Sequence, residues 1–180
     1  VGYGDMAPIT GIGRMVAVIV MLSGVALVSV FTAAISSRVI TNRIKEGRGL
    51  SKVTSKNHIA ILGWNSSGED ILQSITEAAI RDDRSVVLVN EHRPEEIETI
   101  VNKYHQLYIK FVFGDPTEEE VLKRANVQFA FSAIIIPDDA ETHSQRPDER
   151  TILATLSVKS LNPKIKVVAH IKDESNEPHL

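Results

Sequence analysis

Hydrophobic positions in this chain follow two different rules. Between Arg14 and Arg38 stand 23 consecutive uncharged residues, Met15 to Ser37, rich in Val, Ala, Ile, Leu and Met. At about 1.5 Å per helical residue this run measures roughly 34 Å, against about 30 Å for the hydrocarbon core of a bilayer. The apolar region of a signal peptide is shorter, about 7–15 residues. The pattern therefore predicts a membrane-spanning helix from Arg14 to about Ile40. From His58 onward short apolar runs alternate with segments of helical spacing. Ile59 to Leu62 reads as a buried strand ended by Gly63, and Glu69 to Ile80 as a helix with Ile71, Leu72, Ile75, Ala78 and Ala79 on one face.

The same alternation continues to the C-terminal region. Ser85 to Val89 is a second strand, and Pro94 opens a helix carrying Ile97, Ile100, Val101 and Tyr104. Tyr108 to Phe113 is a third strand and Gly114-Asp115-Pro116 a turn. Thr117-Glu118-Glu119-Glu120 has the form of a capping box, the Thr hydroxyl accepting from an orphan N–H while Glu120 reaches back. Ala130 to Ile136, a helix from Asp148 to Leu161 and Lys166 to Ile171 complete the pattern. Strands separated by helices predict βαβ units and a parallel sheet. The ending Asn176-Glu177-Pro178-His179-Leu180 looks like the opening of another helix, with a sixth strand expected beyond it.

Charge divides the chain at the same place. Residues 1–56 carry seven positive and two negative charges, residues 57–180 thirteen and twenty-one. Arg38, Arg43, Lys45, Arg48, Lys52 and Lys56 follow the apolar run, opposed only by Glu46, so this flank is expected on the cytoplasmic side. The chain has 180 residues and a net charge of −3, which gives no bulk attraction to nucleic acid. It has no cysteine, which excludes a disulfide framework, a Cys-based zinc site and thiol catalysis.

Ahead of the helix stands Val1-Gly2-Tyr3-Gly4-Asp5. Irregular backbone at membrane depth survives only where it is buried in protein or lines a water-filled path. Stacked carbonyls of such a run from four chains replace the hydration shell of a potassium ion. These five residues resemble the selectivity filter of the potassium-channel pore family, Thr-Val-Gly-Tyr-Gly-Asp, without its leading Thr. Gly13 to Val18 and Met21 to Val25 are similar to the inner helix of prokaryotic channels. That resemblance implies a gating hinge at Gly24, where glycine makes a bend cheaper by about 0.8–1 kcal/mol relative to Ala; close packing between helices is the competing role. The outer helix, the pore helix and the filter threonine are expected to precede this fragment.

The strand–turn–helix at Ile59 to Ile71 is where a dinucleotide fingerprint would fall. Gly63 and Gly68 fit Gly-x-Gly-x-x-Gly, but Asn65 stands where the middle glycine lets backbone approach a pyrophosphate. Glu91, after the second strand, is placed to hold a ribose hydroxyl. The nucleotide candidates are Gly63, Asn65, Ser66, Gly68, Glu91 and Asp115, with strand–helix packing as their alternative role. Leu62-Gly63-Trp64-Asn65, Gly114-Asp115-Pro116-Thr117 and Lys123-Arg124-Ala125-Asn126-Val127 resemble the regulator-of-potassium-conductance (RCK, TrkA-N-like) domain, also known from Trk- and Ktr-type transporters. Some members are opened by calcium through carboxylates near strands four and five. Here strand five reads Val168-Ala169-His170-Ile171-Lys172, and a lysine ammonium stands against calcium at that site. Asp138, Asp139 and Glu141 form an oxygen-rich loop, either a divalent-ion site or a solvated turn.

Residues 1–40 are thus expected to be the filter and pore-lining helix of a two-helix-type channel, 41–56 a basic linker, and 57–180 an α/β Rossmann-like parallel-sheet domain lacking its C-terminal part. An enzyme is not expected: Ser66 and Ser67 lack a Gly-x-Ser-x-Gly context, and no substrate domain is evident. The resemblance implies a potassium channel gated by its RCK domain, with K+ permeating and NAD(H) or an adenine nucleotide as regulator. It implies three further identical subunits around the pore, RCK domains in a gating ring, and a prokaryotic inner membrane crossed more than once. The linker from Thr41 to Lys56 is expected to transmit force from the ring of regulator domains to the pore, with contact of Arg43, Lys45 and Arg48 with anionic lipid headgroups as the alternative. A regulatory subunit or domain of a transporter or antiporter is the alternative reading, against which the filter motif stands.

Overall fold

The computed structural model describes residues 7–138 and 147–171. The chain divides into two units, Val1–Arg43 and Ile44–Leu180. A single helix, α1, runs from Gly11 to Gly47. Its apolar side chains point outward, and it is long and apolar enough to cross a membrane. Three of its hydroxyls bond back to the helix: Ser23 Oγ donates to the Val20 carbonyl at 2.9 Å, Ser29 Oγ to Val25 at 2.8 Å and Thr41 Oγ1 to Ser37 at 2.8 Å. Hydrocarbon offers polar groups no other partner, so this back-bonding suits a lipid setting.

The helix does not stop near Ile40. It continues through the first part of the expected linker to Gly47, and a glycine-based cap ends it. Gly49 sits at φ +68, its N–H bonded to the Glu46 carbonyl at 3.0 Å while the Leu50 N–H reaches Lys45 at 2.9 Å. This is a Schellman ending, which needs a left-handed residue at the turn. The Gly49 carbonyl in turn accepts from the Phe113 N–H at 3.0 Å. Further along, the Val53 N–H bonds the Arg124 carbonyl and the Asn57 N–H the Phe129 carbonyl, each at 2.8 Å. Asn126 Nδ2 donates to the Ser55 carbonyl, also at 2.8 Å. The segment between helix and first strand is pinned along its length.

Five strands form one parallel sheet: β1 (Ile59–Leu62), β2 (Val86–Asn90), β3 (Ile109–Phe113), β4 (Ser132–Ile135) and β5 (Lys166–Ala169). The spatial order is β3-β2-β1-β4-β5. Helices α2 (Gly68–Arg81), α3 (Pro94–Lys103), α4 (Glu119–Arg124) and α5 (Pro147–Leu161) connect them, with a 3-10 turn at Val127–Phe129 before β4. Strand residues alternate between the two faces. Ile59, Ile61, Val86 and Leu88 pack with Leu72 and Ala79 of α2 and Ile97 and Ile100 of α3. Ala60, Leu62, Val87 and Val89 pack with Val121 and Leu122 of α4 and Ala154 and Val158 of α5. Covering both faces explains why β1 and β2 are apolar at nearly every position.

One expected local motif is absent. α4 begins at Glu119 with Glu118 as its cap residue and no side-chain capping bond. Thr117 instead donates its hydroxyl and its N–H to Asp115 Oδ1, at 2.7 and 2.8 Å. The helix opens one residue later than a Thr117 cap requires, so the Thr117 hydroxyl lies outside the cap position and the segment closes an Asx-turn on Asp115. Strand boundaries differ from expectation by one or two residues: β3 starts at Ile109, β4 spans Ser132–Ile135 and β5 ends at Ala169.

Candidate ligand-binding cleft and pore segment

The strand order reverses between β1 and β4, and ligands of such sheets bind beyond the carboxyl ends of the strands at that switch point. The β1–α2 turn, the ends of β2 and β3, and the segment after β4 meet there. Gly63 has φ +83, and a Cβ on it would lie 2.1 Å from the Ile136 carbonyl oxygen. Its glycine identity lets β1 and β4 continue side by side past their last paired residues. Asn65 is buried and spans the crevice, Nδ2 donating to the Pro137 carbonyl at 2.8 Å and Oδ1 accepting from the Ser67 N–H at 2.9 Å. Gly68 opens α2 beneath the Trp64 ring, where a Cβ would meet ring atoms at 2.8 to 2.9 Å. Ser66 lines a recess of about 260 Å³ with Trp64, Asn65, His92 and Ile100.

On the β2 and β3 side the cleft is charged. Glu91 Oε2 and Asp115 Oδ1 each lie 3.0 Å from the same guanidinium nitrogen of Arg150, in the first turns of α5. The Arg150 side chain is only 6% exposed. Burial by itself would raise the Asp115 carboxyl, but the Thr117 amide and hydroxyl and the Arg150 guanidinium outweigh it and hold the group below its ordinary value. For Arg150 burial works against the charge, while Asp115 and Glu91 overcome it and raise the pKa. Asp115 and Arg150 are therefore ionised at neutral pH. His92 stands beside them, Nδ1 at 3.2 Å from Glu96 Oε2 and Nε2 at 3.3 Å from Asp138 Oδ1.

The expected cofactor residues are thus brought to the carboxyl end of the sheet, and Asn65, Glu91 and Asp115 are each tied to a partner inside the domain. A dinucleotide in its usual pose needs the Asn65 position open to the pyrophosphate and the Glu91 carboxylate available to the ribose. The residues as arranged do not fit that pose. Arg150 and Trp64 are the determinants that sequence reasoning missed. Trp64 was readable in principle, since an aromatic beside a small helix-opening residue invites packing. Arg150 lies 59 residues from Glu91, and no local signal links them.

Asp138 is engaged by His92, while Asp139 and Glu141 lie outside the described residues. Among the described residues no cluster of three carboxylate or imidazole groups is placed to hold a metal ion. The filter candidates Val1 to Asp5 also lie outside the described residues. Gly24 lies within α1, which runs through it without interruption, and a Cβ there would meet nothing within 4 Å in this chain.

A parallel sheet with this order, helices on both faces and a cleft at its switch point is a Rossmann-like domain. Residues 54–169 match the calcium-activated potassium channel slowpoke-like RCK domain, and residues 1–41 match the ion channel family. The chain belongs to the slowpoke-like RCK domain family. It is 33% identical over 184 residues to the calcium-gated potassium channel TvoK of Thermoplasma volcanium, covering 99% of this chain and 49% of that protein. Identity to YugO of Bacillus subtilis is 29% over 171 residues, covering 95% of this chain and 49% of that protein. The chain spans about half the length of the curated relatives it matches. The solved GsuK channel bound to NAD superposes with a TM-score of 0.64 at 22% identity, over 97% of this chain and 30% of that one. The TrkA-N domain of the inner membrane protein ybaL from Escherichia coli gives 0.54 at 17% identity, over 71% and 82%. At such identities the shared property is the fold. An ion-channel match over an apolar helix, joined to an RCK domain, makes this a membrane protein.

Proposed function

We propose that this chain supplies the selectivity filter, the pore-lining helix and the regulatory domain of a potassium-selective channel gated by a ligand of its RCK domain. One observation carries the reading: Val1-Gly2-Tyr3-Gly4-Asp5 directly precedes a helix able to span a bilayer, and an RCK domain follows on the same chain. Four copies bring the carbonyls of Val1 to Gly4 into rings that replace the hydration shell of K+. The inner helices line the cavity, with Gly24 as the bending point. Their basic ends lie at the cytoplasmic surface of a prokaryotic inner membrane, among anionic headgroups. RCK domains assemble below as a ring. A ligand moves the gate only by its differential affinity for the two ring geometries. The chain is a channel component and performs no catalysis.

Two ligand classes are supported by relatives. Solved GsuK channels carry NAD and ADP, and TvoK is named as calcium-gated. A nucleotide, held in a pose other than the usual one, is the class favoured here, because the sequence has His170 and Lys172, the latter outside the described residues, at the strand-five positions where calcium would need carboxylates. The test is K+ flux through the full-length gene product in liposomes, with NAD+, ADP and calcium added singly. Gly2→Ala is expected to abolish discrimination between K+ and Na+. Retained discrimination would remove the filter assignment, and unchanged gating in Gly24→Ala would remove the hinge.

A further inference from the structure

The acidic end of the cleft is already occupied from within. Glu91 sits where a Rossmann-like domain offers a carboxylate to the hydroxyls of a bound ribose. Here that carboxylate faces a guanidinium at 3.0 Å, and the same nitrogen reaches Asp115 at 3.0 Å. Glu91 follows β2, Asp115 follows β3, and Arg150 arrives from α5 on the far side of the switch point. A nearly buried cation between two carboxylates is a strong, well-defined contact, since charge-assisted bonds are about twice as strong as neutral ones. Asn65 closes the other half of the cleft through Pro137, leaving a recess of about 260 Å³ at the β1–α2 turn. Small-ligand sites are usually larger, about 300–1,000 Å³.

We propose that Arg150 is the specificity-determining group of this cleft: its guanidinium stands in for the sugar hydroxyls of a ligand, and adenine nucleotides enter only by displacing it from Glu91. This rests on the nucleotide reading given above. Displacement costs a nucleotide part of its binding energy, so the cleft selects ligands whose other contacts compensate. A helix staple without any bearing on the ligand is the competing role for the same residues. It predicts a loss of stability on substitution and no gain in binding.

Equilibrium dialysis of labelled NAD+ and ADP against the detergent-solubilised full-length gene product separates these roles. Arg150→Gln is expected to bind roughly tenfold tighter than the wild type or better, the scale of one charge-assisted hydrogen bond. Glu91→Gln added to Arg150→Gln is expected to cancel the gain, because the carboxylate that Arg150 releases is the group that takes the sugar hydroxyls. Should Arg150→Gln not fold, Arg150→Lys keeps the charge without the rigid fork and gives an intermediate gain. Wild-type binding that Glu91→Gln abolishes and that neither Arg150 variant tightens would overturn the proposal while leaving the nucleotide reading intact. Absence of binding in every form would overturn both.

Discussion

Between Gly11 and Gly47 the large apolar side chains face outward, Leu27 being 71% exposed, whereas Leu88 at the centre of the sheet has no exposure at all. The same residue type thus meets two different solvents. In the α/β unit the central strands bury their apolar residues within one chain, helices covering both faces of the sheet. In α1 the Ser23 and Ser29 hydroxyls are satisfied by the helix backbone while the apolar surface is left for lipid or for other helices. The difference teaches which part of the molecule folds on its own contacts and which depends on its surroundings.

The largest test of that contrast pairs the two leucines. Leu88→Ala is expected to cost the α/β unit about 2–5 kcal/mol, the range for a buried leucine. Leu27→Ala is expected to change it by less than about 0.5 kcal/mol. Hydrogen exchange of the sheet amides in the full-length gene product measures both, and equal effects would break the contrast. A smaller effect is expected at the β1–α2 turn. Gly68→Ala gains helix propensity of up to about 1 kcal/mol but drives a Cβ against a buried Trp64 ring. Overpacking costs about 1–3 kcal/mol, so a net loss is predicted; a neutral outcome in the same assay would mean that the ring yields and that this glycine serves something other than packing.

The smallest effect concerns His58, fully buried at the start of β1. Burial lowers its pKa from the ordinary 6.5, Lys110 adds to the lowering, and the backbone at Ser55 and Ala125 acts in the opposite sense. As pH falls below about 6.5 the unfolded chain takes up a proton that the folded domain still refuses. Stability is therefore present above that value and declines as pH drops through the window beneath it. Unfolding midpoints at pH 7.5 and at successively lower pH, in wild type and His58→Leu, check the sign. An equal decline in both would assign the slope to other groups.

The parallel α/β architecture was legible because Ile59 to Leu62 and Val86 to Val89 are unbroken apolar runs between helices with one apolar face. Their lateral order was not, since nothing local states that β1 lies between β2 and β4. The end of the pore helix is marked less by the basic cluster than by Gly49, the residue a Schellman turn requires after Lys45. At Thr117 the spacing of a capping box is present, but the helix takes Glu118 as its cap residue and leaves Thr117 to an Asx-turn. In the cleft the fingerprint positions could be listed but not their commitments. Asn65 to Pro137 and Glu91 to Arg150 join residues 72 and 59 positions apart, distances over which a one-dimensional pattern carries no information.

The pinned segment between Gly47 and Ile59 has a mechanical meaning. Hydrogen bonds at Gly49, Val53, Ser55 and Asn57 fasten it to β3, to the end of α4 and to the turn before β4. A segment held at four places over so few residues has almost no slack. It belongs mechanically to the α/β unit, a stiff margin of that unit and not an elastic tether. Lengthening it by a few glycines would change its compliance without touching a single bond in the cleft.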